Sequence, residues 1–228
     1  MIPCAAIANA LVNLPNKTVK HKGVRYLNIP CGFDIETTSQ TVGDTKVAHM
    51  YIWMIGLGHN NGVYYGRTWE EFVETMELIS RTLNLGKNKR LVVYVHNLAY
   101  EFQFMRKLLE WEDSPFSIDE RKPIKALCTL GIEFRDSYIL SGMSLAITAK
   151  NLVKHKVKKM AGDLDYSKPR HHETPLTSEE MGYCENDIVI ITAYIDEQIS
   201  QYGSICKIPA TNTGRVREKM RDNCLMKS

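Results

Sequence analysis

Asp34 and Glu36 stand two residues apart in Cys31-Gly32-Phe33-Asp34-Ile35-Glu36-Thr37-Thr38, inside an apolar run. On a strand, alternate side chains share a face, so both carboxylates project together while Phe33 and Ile35 turn toward a core. Like charges side by side on a sheet repel. A divalent cation with hard oxygen ligands relieves that repulsion, and so does a solvated sheet edge. A third acid, Glu101, lies in His96-Asn97-Leu98-Ala99-Tyr100-Glu101, where a strand hands over to a helix. Asn97 and Glu101 are four apart and share a helix face. Tyr183 and Asp187 repeat that spacing just before the apolar run Ile188 to Ile191. Taken singly, Glu101 and Asp187 read as solvated acids at the edge of an apolar stripe.

These side chains need elements to carry them. The pattern predicts a first core strand over 25–36, after a basic surface turn at 16–23 (Lys17, Lys20, Lys22). A second strand spans 46–58, and His59-Asn60-Asn61-Gly62 is a hairpin signal leading to a third strand, 62–67. Thr68-Trp69-Glu70-Glu71 is a capping box that opens a helix ending near Gly86. A buried strand is expected at 90–96 and a helix from Asn97 or Leu98 to about Trp111. Pro115 and Pro123 bracket a loop. A hairpin follows, 127–132 with 133–138, then a helix over 144–154 and an irregular stretch at 160–173. Thr177-Ser178-Glu179-Glu180 is a second capping box, opening a long helix to about Gln201 with Met181, Cys184, Ile188, Ile191, Ile195 and Ile199 at helical spacing. Met1 to Pro15 reads as a small exposed helix or strand. Strands alternating with helices predict a mixed α/β domain, a central sheet flanked by helices.

The chain has 228 residues, 44% apolar and 24% charged, and a net charge of +3. This is globular composition with room for a core. The charge is compatible with a nucleic-acid partner without arguing for one. Six cysteines are scattered without C-x-x-C pairs or zinc spacing, which predicts a reducing, intracellular setting. No apolar run is long enough to cross a membrane. His171-His172 has no Cys or His partner at zinc-type spacing.

D-I-E-T-T, H-N-L-A-Y-E-F, G-D-L-D-Y (162–166) and Y-C-E-N-D (183–187), in that order, resemble the 3′–5′ exonuclease domain of protein-primed, phage-type family B DNA polymerases, a DEDD-type nuclease with a ribonuclease-H-like fold. Ile208-Pro209-Ala210-Thr211-Asn212-Thr213-Gly214-Arg215-Val216-Arg217 is similar to the stretch leading from that domain toward the polymerase part. The resemblance covers about residues 26 to 217. It implies an N-terminal extension (1–24), an exonuclease domain (25–205) and a connector (206–228) toward an absent polymerase domain. Asp34, Glu36, Glu101 and Asp187 would hold two Mg²⁺ or Mn²⁺ ions, which in such sites lie ~3.5–4 Å apart and stabilise the attacking and leaving oxygens. Tyr183 would orient the attacking water. Thr37, Asn97, Tyr100 and Ser137 would grip the single-stranded DNA 3′ end, where aromatic faces stack on bases without sequence preference.

Two departures from the family stand out. The middle acid, often Asp in protein-primed members, is Glu101 here. The position before G-D-L-D-Y, a supporting Lys in some members, is Ala161, leaving Lys158 or Lys159 as substitutes. Asp163, Asp165 and Tyr166 read as structural anchors of their loop, and His96 as a strand-end residue. The polymerase motifs D-x-x-S-L-Y-P and Y-x-D-T-D-S do not occur, so polymerisation by this chain alone is not expected. The resemblance further implies a polymerase domain and a terminal protein as partners, and the cytoplasm of a bacterium hosting a phage or mobile element. The competing readings are a stand-alone DEDD nuclease acting on RNA or short oligonucleotides, and an inactive single-strand-binding module.

Overall fold

A computed structural model describes residues 1–112, 116–117, 123–160, 164, 168–214, 216–217 and 220. The chain runs β1 (Ile2–Pro3), α1 (Ile7–Asn13), β2 (Thr18–His21), β3 (Val24–Leu27), β4 (Cys31–Val42), β5 (Thr45–Leu57), β6 (Val63–Gly66), α2 (Trp69–Thr82), β7 (Lys89–Val95), α3 (Leu98–Met105), β8 (Phe116–Ser117), β9 (Pro123–Leu127), β10 (Ile132–Asp136), α4 (Ser137–Ser141), α5 (Leu145–Lys150) and α6 (Ser178–Tyr202). The strands form one mixed sheet in the order β1-β6-β5-β4-β7-β10-β9-β8. β4 pairs antiparallel with β5 and parallel with β7, which is parallel to β10. The β2–β3 hairpin attaches to the start of β7 through β3.

Strand alternation divides the core. Phe33, Ile35, Trp53, Ile55, Leu91, Val93 and Val95 pack with α1, α2 and α3 on one face. Ile52, Met54, Val92 and Tyr94 pack with Ile188, Ile191 and Ile195 of α6 on the other. The expected α/β architecture, a mixed central sheet flanked by helices, is present. Both capping boxes form, Thr68 with Glu71 and Thr177 with Glu180.

Several boundaries differ from the sequence pattern. The first strand is two strands, broken at Asn28–Pro30. Proline has no N–H for the ladder, and the Pro30 carbonyl instead accepts from Gly58 N at 2.8 Å. The segment read as a basic turn is mostly strand β2, and only Lys22-Gly23 turns, both at positive φ (48° and 86°), the backbone that tight hairpins require. β4 continues past Glu36 to Val42. α3 stops at Met105, after which Trp111 is drawn to the sheet edge, bridging Cys128 and packing on Phe102 and Phe134. In the later hairpin Ile132 belongs to the second strand, because the turn falls at Thr129–Gly131. α5 ends at Lys150, Asn151 and Leu152 close its last turn, and from Val153 on the backbone N–H groups bind a side chain of α6 instead (below). The N-terminal helix is not simply exposed, since Ile7 and Leu11 join the core. Pro115, Ala161–Asp163, Asp165–Ser167 and most of the connector past Gly214 lie outside the described residues.

One contact governs how α6 sits. Gly32 of β4 and Gly56 of β5 face each other across the ladder. A Cβ on Gly56 would come within 2.6 Å of Ile188 Cγ2, and one on Gly32 within 3.0 Å of Ile191 Cγ2. The paired glycines form a shallow saddle that lets the helix lie directly on the strands. Gly56→Ala is therefore expected to lower unfolding free energy by about 1–3 kcal/mol through overpacking. Gly182→Ala, in α6 with nothing nearer than the Met160 methyl at 3.8 Å, is expected to stabilise by about 0.5–1 kcal/mol, as Gly→Ala does in an open helix interior. Urea unfolding of both variants checks this, and similar effects at the two positions would contradict the saddle.

Candidate active site

Asp34 and Glu36 share parity with Gly32, so both rise from β4 on the face that α6 covers. The saddle brings the N-terminal half of α6 down beside them, and Asp187 joins them. Carboxylate oxygens of Asp34, Glu36 and Asp187 lie within 4.8 Å of one another. Glu101, on the first turn of α3, is buried within electrostatic reach of Asp34 and Glu36. Glu36, Glu101 and Asp187 are buried, and Asp34 is partly exposed.

Burial pushes every one of these carboxyls up, and repulsion from neighbouring acids adds to it at Asp34, Glu36 and Glu101. Desolvation is the largest cause at Asp34, followed by Glu101, Glu36 and Asp187. Desolvation and then Asp187 raise Glu36 to about 7, against relief from Lys159 and Arg170. Desolvation raises Glu101 to about 8 and also lifts Asp187, which Lys159 partly offsets. Glu101 Oε2 is buried without a hydrogen-bond partner. Four carboxyls, hard oxygen donors only, one with an orphaned oxygen, suit Mg²⁺ or Mn²⁺.

Backbone devices hold the acids in place. Asn97 takes the left-handed conformation (φ 83°) at the start of α3 and makes no side-chain cap. Asp136 caps that helix instead, accepting from Leu98 N at 2.8 Å and, through its other oxygen, from Ile139 N at 2.7 Å. It thereby ties the helix of Glu101 to β10 and α4. The β4–β5 register slips between Glu36 and Thr37, with Tyr51 as the extra residue on β5, a bulge that re-aims neighbouring side chains. Arg67 Nε takes the Tyr51 carbonyl at 2.6 Å.

The other expected site residues distribute unequally. Thr37 Oγ1 and Tyr100 Oη are hydrogen-bonded at 2.5 Å, and both line a cavity of about 390 Å³ together with Glu36, Ser39 and Lys46. Tyr100 is exposed. Tyr183 sits one turn before Asp187 with Lys159 Nζ 4.0 Å from its ring centroid. Asn97 is exposed beside Tyr100. Ser137 is not open to a ligand: it is buried, with its hydroxyl on the Val95 carbonyl (3.2 Å) and His96 Nδ1 (3.1 Å). Burial first, and then Lys159, lower His96 to about 4, so its ring is neutral near pH 7.

Of the two lysines left open by the sequence, Lys159 is the one at the site, ion-paired with Asp187. The strap 153–160 that carries it is stitched to α6. Glu197 accepts from the N–H groups of Val153, Lys154 and His155 at 3.1, 2.6 and 2.9 Å. Asn186 accepts from Met160 N (2.8 Å) and donates to the Lys158 carbonyl (3.1 Å). Sequence reasoning also missed Arg170, a buried guanidinium bound to Glu180 at 2.6 Å that eases the charge on Glu36. The sequence signal for the strap was Asn186 itself, inside the motif that carries Asp187. Arg170 had none beyond its closeness to the second capping box.

No protein-family model matches the sequence, and no curated protein sequence does either. Solved structures do resemble the fold. Phi29 DNA polymerase complexed with primer-template DNA and incoming nucleotide substrates matches with TM-score 0.60 and 21% identity, over 75% of this chain and 31% of the polymerase chain. Its orthorhombic crystal form matches at 0.59 and 18%, over 79% and 32%. The complex with single-stranded DNA matches at 0.56 and 19%, over 75% and 31%. This chain thus spans about a third of the length of those polymerases, and its fold is that of the part it covers.

Proposed function

We propose that this chain is the 3′–5′ proofreading exonuclease part of a DNA polymerase of the protein-primed, family B type. It hydrolyses the terminal phosphodiester of a single-stranded DNA 3′ end and releases a nucleoside monophosphate. The observation that carries the reading is the meeting of Asp34, Glu36 and Asp187, from elements far apart in sequence, within 4.8 Å, with Glu101 within electrostatic reach of Asp34. The fold likeness to a DNA polymerase, one of its structures complexed with single-stranded DNA, supports it. On this reading residues 25–205 are the exonuclease domain, 1–24 an extension and 206–228 a connector toward a polymerase domain, with a terminal protein as a further partner and the cytoplasm of a phage-bearing cell as the setting. Among the described residues no helix is long and apolar enough to cross a membrane.

Asp34, Glu36, Glu101 and Asp187 would hold the two cations. The cations supply Lewis-acid stabilisation of both oxygens in an in-line displacement. The chain's own groups position the substrate. Tyr100 and Thr37 line the cavity beside Glu36, where an exposed ring can stack on the terminal base. Tyr183, through its hydroxyl, orients the water opposite the leaving oxygen. Lys159, aligned by the strap, places positive charge beside the reacting phosphate, where negative charge grows in the transition state.

Asp34→Ala/Glu36→Ala is expected to remove Mg²⁺-dependent 3′ trimming, a loss of at least 10³-fold, while circular dichroism shows an intact fold. Trimming of a labelled single-stranded oligonucleotide at the original rate would sink the assignment. Stability gives a second check. A carboxyl whose folded pKa is raised contributes stability that is present below its unfolded value, near 4.3 for Glu, and is lost as pH rises through the folded value, here about 7 for Glu36 and about 8 for Glu101. In EDTA, melting temperature should therefore fall from pH 5.5 to pH 8.5. Millimolar Mg²⁺ should restore it at pH 8.5 and do little at pH 5.5, since cations compete with protons. A Mg²⁺ effect independent of pH would contradict the carboxylate cage.

A further inference from the structure

Residues 1–33 include Lys17, Lys20, Lys22 and Arg25 and no Asp or Glu. The β2–β3 hairpin that holds these cations pairs with β7, Arg25 opposite Lys89 and Tyr26 opposite Arg90. It walls a cavity of about 400 Å³, lined also by Arg90 and Tyr94 of β7, Lys125 of β9 and Arg135 of β10. One fully buried carboxylate, Glu133, serves three of these cations. Its Oε1 pairs with Arg135 at 2.6 Å, and its Oε2 with Lys125 at 3.3 Å and Arg90 at 3.4 Å. Glu112 adds a looser contact to Arg90 at 3.9 Å. Glu133 lies beneath the lining, and Asp136, the acid in the lining itself, has both oxygens on backbone N–H groups. Arg90 Nε is buried with no hydrogen-bond partner.

Glu133 is shared among three cations, Glu112 reaches only Arg90 and loosely, Asp136 is spent on backbone N–H groups, and exposed Lys22 adds a fourth positive group. Partly buried positive charge on Arg90 and Arg135 and an unpaired donor are costly until an anion meets them. We propose that this cavity binds a phosphate group. Guanidinium and ammonium groups around one hollow match phosphate oxygens in charge and hydrogen-bond geometry. The rings of Tyr26 and Tyr94 are buried, so the recognition is of phosphate and not of a base. A nucleic-acid strand is the favoured source. Tyr94 of the cavity lining lies opposite Gly32, two residues before Asp34, ~7 Å along the strand at ~3.3 Å per residue, and the cationic side chains lie one to three strands further across the sheet at ~4.8 Å per strand. The basic hairpin then extends the contact away from the acid cluster. The inference stands apart from the nuclease reading, because its readout is binding in the absence of divalent metal.

The test measures fluorescence anisotropy of a labelled oligo(dT), about twelve nucleotides long, in EDTA across a salt series. Lys22 is exposed and Lys125 partly so, so Lys22→Gln/Lys125→Gln removes two charges with little risk to folding, and a melting curve verifies that. The double variant is expected to bind on the order of tenfold more weakly at low salt, with the log–log salt slope flattened by ~0.7, the contribution of one phosphate. Thymidine monophosphate serves as the second probe. If the substitutions weaken its binding and leave the oligonucleotide unaffected, the phosphate comes from a free nucleotide and the site still stands. If neither probe senses them, as when the hollow is a seat for protein, the proposal is overturned.

Discussion

Four carboxyls pressed together largely out of water set the terms for everything else in this molecule. Oxygens of Asp34, Glu36 and Asp187 lie within 4.8 Å of one another, and at that separation and an effective dielectric near 20 an ionised pair repels by about 3 kcal/mol, against a total stability of only about 5–15 kcal/mol for a domain. Lys159 and Arg170 ease the strain on Glu36, but two cations do not balance four acids. The chain therefore needs architecture that forces the acids together and a ligand that makes their closeness favourable. That combination, structurally costly alone and useful when loaded, is the usual mark of a functional site.

The architecture works from three sides. The opposed glycines Gly32 and Gly56 let α6 settle onto β4 and β5 without intervening side chains, which sets the height of Asp187 above the sheet. Asp136 substitutes for the missing Asn97 cap and fixes the start of α3, and with it Glu101. The strap 153–160 is fastened through Glu197 and Asn186, which aims Lys159 at Asp187. Each device uses backbone N–H groups or bare Cα positions, so each constrains the site more rigidly than a surface ion pair could.

Much of this was legible in the sequence. Period-two alternation around Asp34 and Glu36 gave the face; spacing alone left Glu101 and Asp187 as solvated acids, and only the resemblance of the ordered motifs to a known family implied a role for them. The two capping boxes marked α2 and α6 with correct starts. What stayed hidden was mainly tertiary. Pro30 split a strand whose apolar pattern ran on through it. Lys22 at positive φ disguised a hairpin as a turn. α3 and α5 ended early without Gly or Pro, one where Trp111 packs at the sheet edge, the other where Glu197 captures the N–H groups from Val153 on. Ser137 looked available as a motif neighbour of Asp136, yet its hydroxyl is taken by Val95 and His96. Long-range partners of this kind leave no local trace in composition or period.

The most direct measurement is anomalous diffraction from crystals of the chain soaked in Mn²⁺. The account predicts two manganese peaks in the cleft, each within coordination distance of carboxylate oxygens from Asp34, Glu36, Glu101 or Asp187. Ordered crystals with the cleft accessible and no manganese bound among those four side chains would contradict it.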